Sequence, residues 1–294
     1  NLQLILLFLL SGLGWITIGL NVIHDANHGT FTKKKKWNDI VGLSLNILGI
    51  SSMLWRIKHN VLHHTYTNIH GVDDDIKAPP IIRLSPGAKK FKIHRFQHIY
   101  AWFFYGFFTL TWIFYRDFKY FFRFKKLRLI KGIPGVEFLK IIGWKLAYVF
   151  LFLVLPCLLL DHSVWLIIAA YMLGQFMIGV VITTIFQLAH VVPGTKFPTA
   201  NDLGKVENNW YVHQLETTAN FAPKSRIMSW FIGGLNYQIE HHLFPSISHV
   251  HYKNISKIVQ KTAAEFNLNY NVQSNFVLAV AGHTRLLKDL GKPD

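Results

Sequence analysis

The chain's 16 histidines fall into groups rather than scattering along it. "HDANH" carries His24 and His28, "HNVLHH" carries His59, His63 and His64, "QLAH" ends in His190, and "QIEHH" carries His241 and His242. Neutral imidazole is a strong nitrogen donor to iron, copper, zinc and nickel. Positions four apart share one face of a helix, and Gln238 repeats the offset against His241 and His242 at three and four. A lone histidine beside an apolar segment is ordinarily a hydrogen-bonded structural residue, but several such groups converge on something. Seven or eight clustered donors exceed the four that one zinc ion takes, so two metal ions fit better. The single cysteine, Cys157, lies in an apolar run, which leaves neither a thiolate metal site nor a disulfide framework.

The elements that must carry these groups read as membrane helices. Of the 294 residues 51% are hydrophobic, in runs too long for one soluble core. Residues 2–20 and 164–189 contain no charge and residues 142–160 contain only Lys145, so each is long and apolar enough to span a bilayer. The first of these lacks the basic leader of a signal peptide and an initiating Met. It reads as a spanning helix, and a chain that opens inside apolar sequence is expected to have lost an N-terminal piece. The formal charge of +16 gathers in "KKKK", Lys33 to Lys36, and in Arg116 to Lys131, both beside apolar segments. Cations so placed face anionic lipid on the cytoplasmic side, a better reading than nucleic-acid binding. The short link "DHS", Asp161 to Ser163, reads as a tight turn at the opposite face.

Topology decides whether the groups can meet. If residues 40–55 crossed the bilayer, His28 and His59 would end on opposite faces. That stretch is shorter than a usual span and is expected to be re-entrant or interfacial. The aromatic stretch 99–115 is expected to lie in the interface likewise. Residues 142–160 then lead out, residues 164–189 return, and His190 arrives at the level of the other groups. The predicted fold is an all-α integral membrane protein forming a single domain over 1–294. It has a few transmembrane helices, interfacial helices and a cytoplasmic His-rich cap for two metals.

The order of the three His boxes resembles the membrane fatty-acid desaturase family, and the Gln-x-x-His-His third box is similar to its front-end acyl-lipid and acyl-CoA members. The resemblance extends to "HHTYTNIHGVDDDI" after the second box and "WYVHQLETTANF" ahead of the third. It implies two non-haem irons held by His24, His28, His59, His63, His64, His190, His241 and His242, with dioxygen as co-substrate. Gln238 stands where many relatives of other regiospecificity have a histidine, and its amide is expected to tune reactivity. Asp25, Asp73, Asp75 and Glu240 are expected to orient liganded rings through their second nitrogen. His213 is left out of the ligand set. His70, His94, His98, His162, His249, His251 and His283 are assigned surface or interfacial roles. No His-Pro-Gly-Gly occurs, so the resemblance implies a separate ferredoxin or cytochrome-b5-like electron donor.

An unactivated methylene offers side-chain acids and bases no proton to take, and a metal–oxygen oxidant is what such a substrate demands. The predicted activity is insertion of a double bond into the acyl chain of a membrane lipid or acyl-CoA. The alternatives are a di-iron hydroxylase or ketolase acting on a lipid or carotenoid, and a polytopic metal transporter. A transporter would place its ligands near the bilayer midplane, whereas these histidines sit at segment ends.

Overall fold

The computed structural model describes residues 1–201 and 206–292. Among them the chain is helical apart from two two-residue strands, Asn220–Phe221 and Val272–Gln273, paired in parallel. Three helices are long and apolar enough to cross a membrane: α1 (Leu2–His28), α6 (Pro134–Leu159) and α7 (Val164–His190). Most of their large side chains face outward, as lipid-facing residues must; Leu10 is 63% exposed, Leu139 68% and Leu158 71%. At about 1.5 Å per residue, a 27-residue helix runs about 40 Å against a hydrocarbon core of about 30 Å. The last turns of α1 and α7, which carry "HDANH" and His190, therefore have length to spare beyond the hydrocarbon.

The stretch expected to be re-entrant is bent. Helices α2 (Lys35–Ile47) and α3 (Ser52–Tyr66) meet at 111° across a break of four residues or fewer. Gly49 takes the left-handed conformation there, with φ at +77°, and any side chain would strike the Tyr148 ring. The aromatic stretch 99–115 is also no single span. Helix α4 (Gln97–Tyr105) stops at Gly106, and a further helix, α5, runs over residues 108–126.

The chain divides into two compact units, residues 1–57 with 103–182, and residues 58–102 with 183–294. In the first, α7 packs closely on the end of α4: a Cβ on Gly179 would lie 2.4 Å from the Gly106 carbonyl oxygen. The turn at Gly49 is held by an ion pair. Asp117, fully buried, accepts from Ser51 N at 2.8 Å, from Trp112 Nε1 at 2.9 Å and from Lys145 Nζ at 2.6 Å. Lys145 also donates to the Gly49 carbonyl. The one charge within the apolar run of α6 is thus neutralised, and it anchors the turn between α2 and α3. Nearby, the Tyr148 and Tyr171 hydroxyls share a 2.7 Å hydrogen bond, and Gln175 donates to Tyr148.

In the second unit, α8 (Trp210–Thr217), α9 (Arg226–Phe231), α10 (Gln238–Leu243), α11 (Tyr252–Glu265) and α12 (Phe276–Gly291) follow in order. Ile239 of α10 packs with Leu215, Val259 and Ala263, which fixes the short helix that carries the third His box.

Removing one partner of a buried ion pair leaves the other charge uncompensated. Lys145→Met is expected to cost about 3–5 kcal/mol, read as a lower melting temperature in detergent. Asp117→Asn combined with Lys145→Met should recover most of that loss, and equal melting of the single and double variants would show that the pair does not hold the turn.

Candidate metal centre

In the second unit the second His box lies on a π-helical turn, Ile57–His63. Such a turn closes i→i+5 hydrogen bonds and winds wider than an α-helix, so residues four and five apart flank the same face. This brings His64 as well as His63 beside His59. The His59 and His63 rings stack with centroids 5.4 Å apart, and the His59 and His64 rings meet at 4.8 Å. A second π turn, Gly19–Ile23, immediately precedes His24.

Six of the predicted ligands converge in this unit. The donor atoms of His63, His190 and His242 lie within 4.8 Å of one another, as do those of His64, His241 and His242, and those of His59, His63 and Asp75. All six histidines are buried. The Nε2 atoms of His59 and His64 are 3.3 Å apart, close to the separation of two nitrogens bound about 2.0–2.1 Å from one metal. Buried imidazoles facing one another cannot all carry protons. Burial, with the charge that His64, His190 and His63 would add, pushes His242 well below the ordinary histidine value, so it is neutral, as a ligand must be.

The second ring nitrogens of four of these histidines are tied off by the protein. His63 Nδ1 lies 3.1 Å from both oxygens of Asp73 and 3.3 Å from Asp75. His190 Nδ1 meets the Thr217 carbonyl at 3.2 Å, His241 Nδ1 the Tyr252 hydroxyl at 3.1 Å, and His242 Nδ1 the Gln214 Oε1 at 2.9 Å. With Nδ1–H spent on these acceptors, Nε2 keeps its lone pair, and His242 Nε2 is buried with no hydrogen-bond partner. A donor set of this kind fits a metal. Burial opposes ionisation of Asp75, but Lys58 and His63 outweigh it and hold the carboxyl below the usual carboxylate range. Asp73 stays in place by also accepting from Asn68 N and Asp75 N.

In the first unit, His24 and His28 face each other on α1 with ring centroids 4.6 Å apart, each edge-on to Trp55. Asp25 approaches His24 Nδ1 only to 3.9 Å, beyond hydrogen-bond reach. Glu240 differs from expectation. Its carboxylate accepts from Asn220 Nδ2 and the Tyr270 hydroxyl, both at 2.8 Å, rather than from a histidine ring. Asn220 Oδ1 in turn accepts from Ile239 N, so Glu240 anchors the third box through its backbone. Gln238 is buried and donates to the Leu235 carbonyl at 2.8 Å. His94 and His283 are not surface residues; each is buried and bonded to a backbone carbonyl, of Pro80 and Val191. Gln214, Tyr252 and Thr217 were missed by sequence reasoning, although the first and last lie in the quoted "WYVHQLETTANF".

Burial raises Glu240 to about 7, against the opposing bonds from Asn220 and Tyr270. A carboxyl raised on folding gives its full contribution below its unfolded value, and the contribution is lost as pH rises through about 7. For metal-free protein, Glu240→Gln is therefore expected to gain melting temperature on the native chain between about pH 5 and pH 8. Parallel melting curves for the two proteins across that range would contradict this.

Residues 1–274 match the family model described as fatty acid desaturase. The chain is 37% identical over 282 residues to an sn-1 linoleoyl-lipid 6-desaturase of Synechocystis sp., covering 92% of this chain and 76% of that protein. It is 39% identical over 278 residues to an acyl-lipid (8-3)-desaturase of Physcomitrium patens, with 93% and 58% covered. An acyl-lipid (8-3)-desaturase of Mortierella alpina is 30% identical over 290 residues, with 96% and 64% covered. Together with the three ordered His boxes and the apolar helices that carry them, these matches make the chain a member of the fatty acid desaturase family, an oxidoreductase of the membrane.

Proposed function

We propose that the chain inserts a double bond into the acyl chain of a membrane lipid, on the carboxyl side of an existing one, using two non-haem irons. The observation that carries this reading is the set of buried imidazoles whose Nδ1 atoms are spent on protein acceptors. The substrate class follows from the relatives, which are named for acyl-lipid and linoleoyl-lipid desaturation. Nothing in the family match favours the hydroxylase, ketolase or transporter readings.

Two irons, reduced by a ferredoxin or cytochrome-b5-like donor and supplied with dioxygen, would give the site the power to remove hydrogen from an unactivated methylene. The ligands are His59, His63, His64, His190, His241 and His242, joined by His24 and His28. Support for the last two is their spacing on α1 and the family's first box. Asp73 and Asp75 orient His63, and their negative charge makes its ring more basic. The Thr217 carbonyl and the Tyr252 hydroxyl hold the rings of His190 and His241. The six histidines are themselves buried, which keeps bulk water from the ligand set. Gln238 offers an amide in place of an imidazole, a poorer donor that can still give or accept a hydrogen bond. The basic clusters at Lys33 to Lys36 and Arg116 to Lys131 favour a cytoplasmic location for the site.

Expressed with a donor system, the chain should yield a new unsaturated fatty acid, with its double bond located by mass spectrometry, only in the presence of oxygen. The purified protein should hold about two irons per chain, and His63→Ala should lose both metal and product. One zinc and no iron would end the di-iron reading.

Gln238→His should keep iron yet lose most of its turnover, because a stronger donor alters a position that the amide leaves weakly held. Unimpaired turnover in that variant would make the glutamine an interchangeable ligand.

A further inference from the structure

One face of α8 backs the metal centre. Trp210, Gln214 and Thr217 are spaced four and three apart, which aligns them along the helix. Trp210 Nε1 donates to the His64 carbonyl at 3.1 Å, and the Thr217 carbonyl receives His190 Nδ1. Between them Gln214, fully buried, donates through Nε2 to the same His64 carbonyl at 3.1 Å. Its Oε1 lies 2.9 Å from His242 Nδ1 and 2.9 Å from Thr67 Oγ1. The helix is firmly started, with Asn209 capping Val212 N at 3.0 Å.

The orientation of the Gln214 carboxamide is dictated by its neighbours. A backbone carbonyl only accepts, so the amide must turn its NH2 group to His64, and Oε1 then faces the His242 ring. An acceptor at 2.9 Å requires a proton on Nδ1, which leaves the lone pair on Nε2. That Nε2 is buried without a hydrogen-bond partner among the described residues.

We propose that Gln214 is a positioning residue of the metal centre: its carboxamide fixes the tautomer of His242 and links that ring to the second box through His64. The proposal rests on the di-iron reading only for the identity of the metal. Gln214 also sets a contrast between donors. His63 is backed by carboxylates and His242 by a neutral amide, so the two rings that share a group with His190 differ in basicity.

The test is anaerobic titration of metal-free, detergent-solubilised full chain with Fe(II), followed by Mössbauer spectroscopy. Gln214→Met keeps the side-chain volume but removes the hydrogen bonds to His64, His242 and Thr67, and should bind one of the two irons about 10–100-fold more weakly. Gln214→Glu keeps an acceptor against Nδ1. It should hold both irons, with the Mössbauer signal of one iron shifted and its midpoint potential lowered by the more basic ring. Wild-type affinity in Gln214→Met overturns the proposal. So does an unshifted signal in Gln214→Glu, which also decides the matter if Gln214→Met does not fold. Wild-type protein that takes up no Fe(II) fails the functional reading instead, and the same titration with Co(II) then tests Gln214 by the same loss in Gln214→Met and rescue in Gln214→Glu.

Discussion

An imidazole that is to hold a metal in the proposed centre must be neutral and protonated on one nitrogen only. Much of the second unit follows from that constraint. An unsatisfied buried polar atom costs about 1–3 kcal/mol, so every Nδ1–H needs an acceptor where no water reaches. The acceptors are of four kinds: a carboxylate at His63, a backbone carbonyl at His190, a phenol at His241 and an amide at His242. They come from the loop after the second box, from the middle and C-terminal end of α8, and from α11. Segments far apart in sequence are thereby committed to one place.

The same constraint explains the layer of bonds behind the acceptors. Asp73 is held by Asn68 N, and the Asn68 amide donates to the carbonyls of His190, Lys196 and Thr217. Asn220 joins Glu240 to the backbone at Ile239, while the strand pairing of Asn220 with Val272 ties that residue to the approach of α12. An acceptor that could swing would leave its ring free to take the other tautomer, so the network fixes orientation as well as position.

Much of this was legible in the sequence, and the parts that were not share a cause. Apolar runs with at most one charge made α1, α6 and α7 legible because bilayer thickness sets a length that can be counted. That residues 40–55 form no single straight span was legible in their length, but the place of the break, at Gly49, was not. The His groups stood out by residue type and spacing. The π turn at Ile57–His63 was not legible, since hydrogen-bond register has no compositional signal, and without it His64 would point away from His59. Thr217 acts through its carbonyl, which every residue possesses. Tyr252 and Gln214 are ordinary residues made important by what lies opposite them. Glu240 was expected to face a ring because it adjoins two histidines, yet adjacent helical residues point in different directions, and its carboxylate faces Asn220 and Tyr270.

The arrangement carries a consequence for folding. Bonds through Nδ1 satisfy one side of the His63, His190, His241 and His242 rings, whereas the Nε2 of His242 has no hydrogen-bond partner among the described residues. Such a lone pair is a standing cost, offset only when a cation binds to it. Metal binding at the proposed site would therefore be linked to folding of the second unit, because ligands that must be deprotonated and aligned exist as a set only in the folded chain. The carboxylates bias the same balance. Asp73 and Asp75 lie against His63, with Lys58 offsetting part of their charge, so a cation held by that ring would have carboxylates directly behind it.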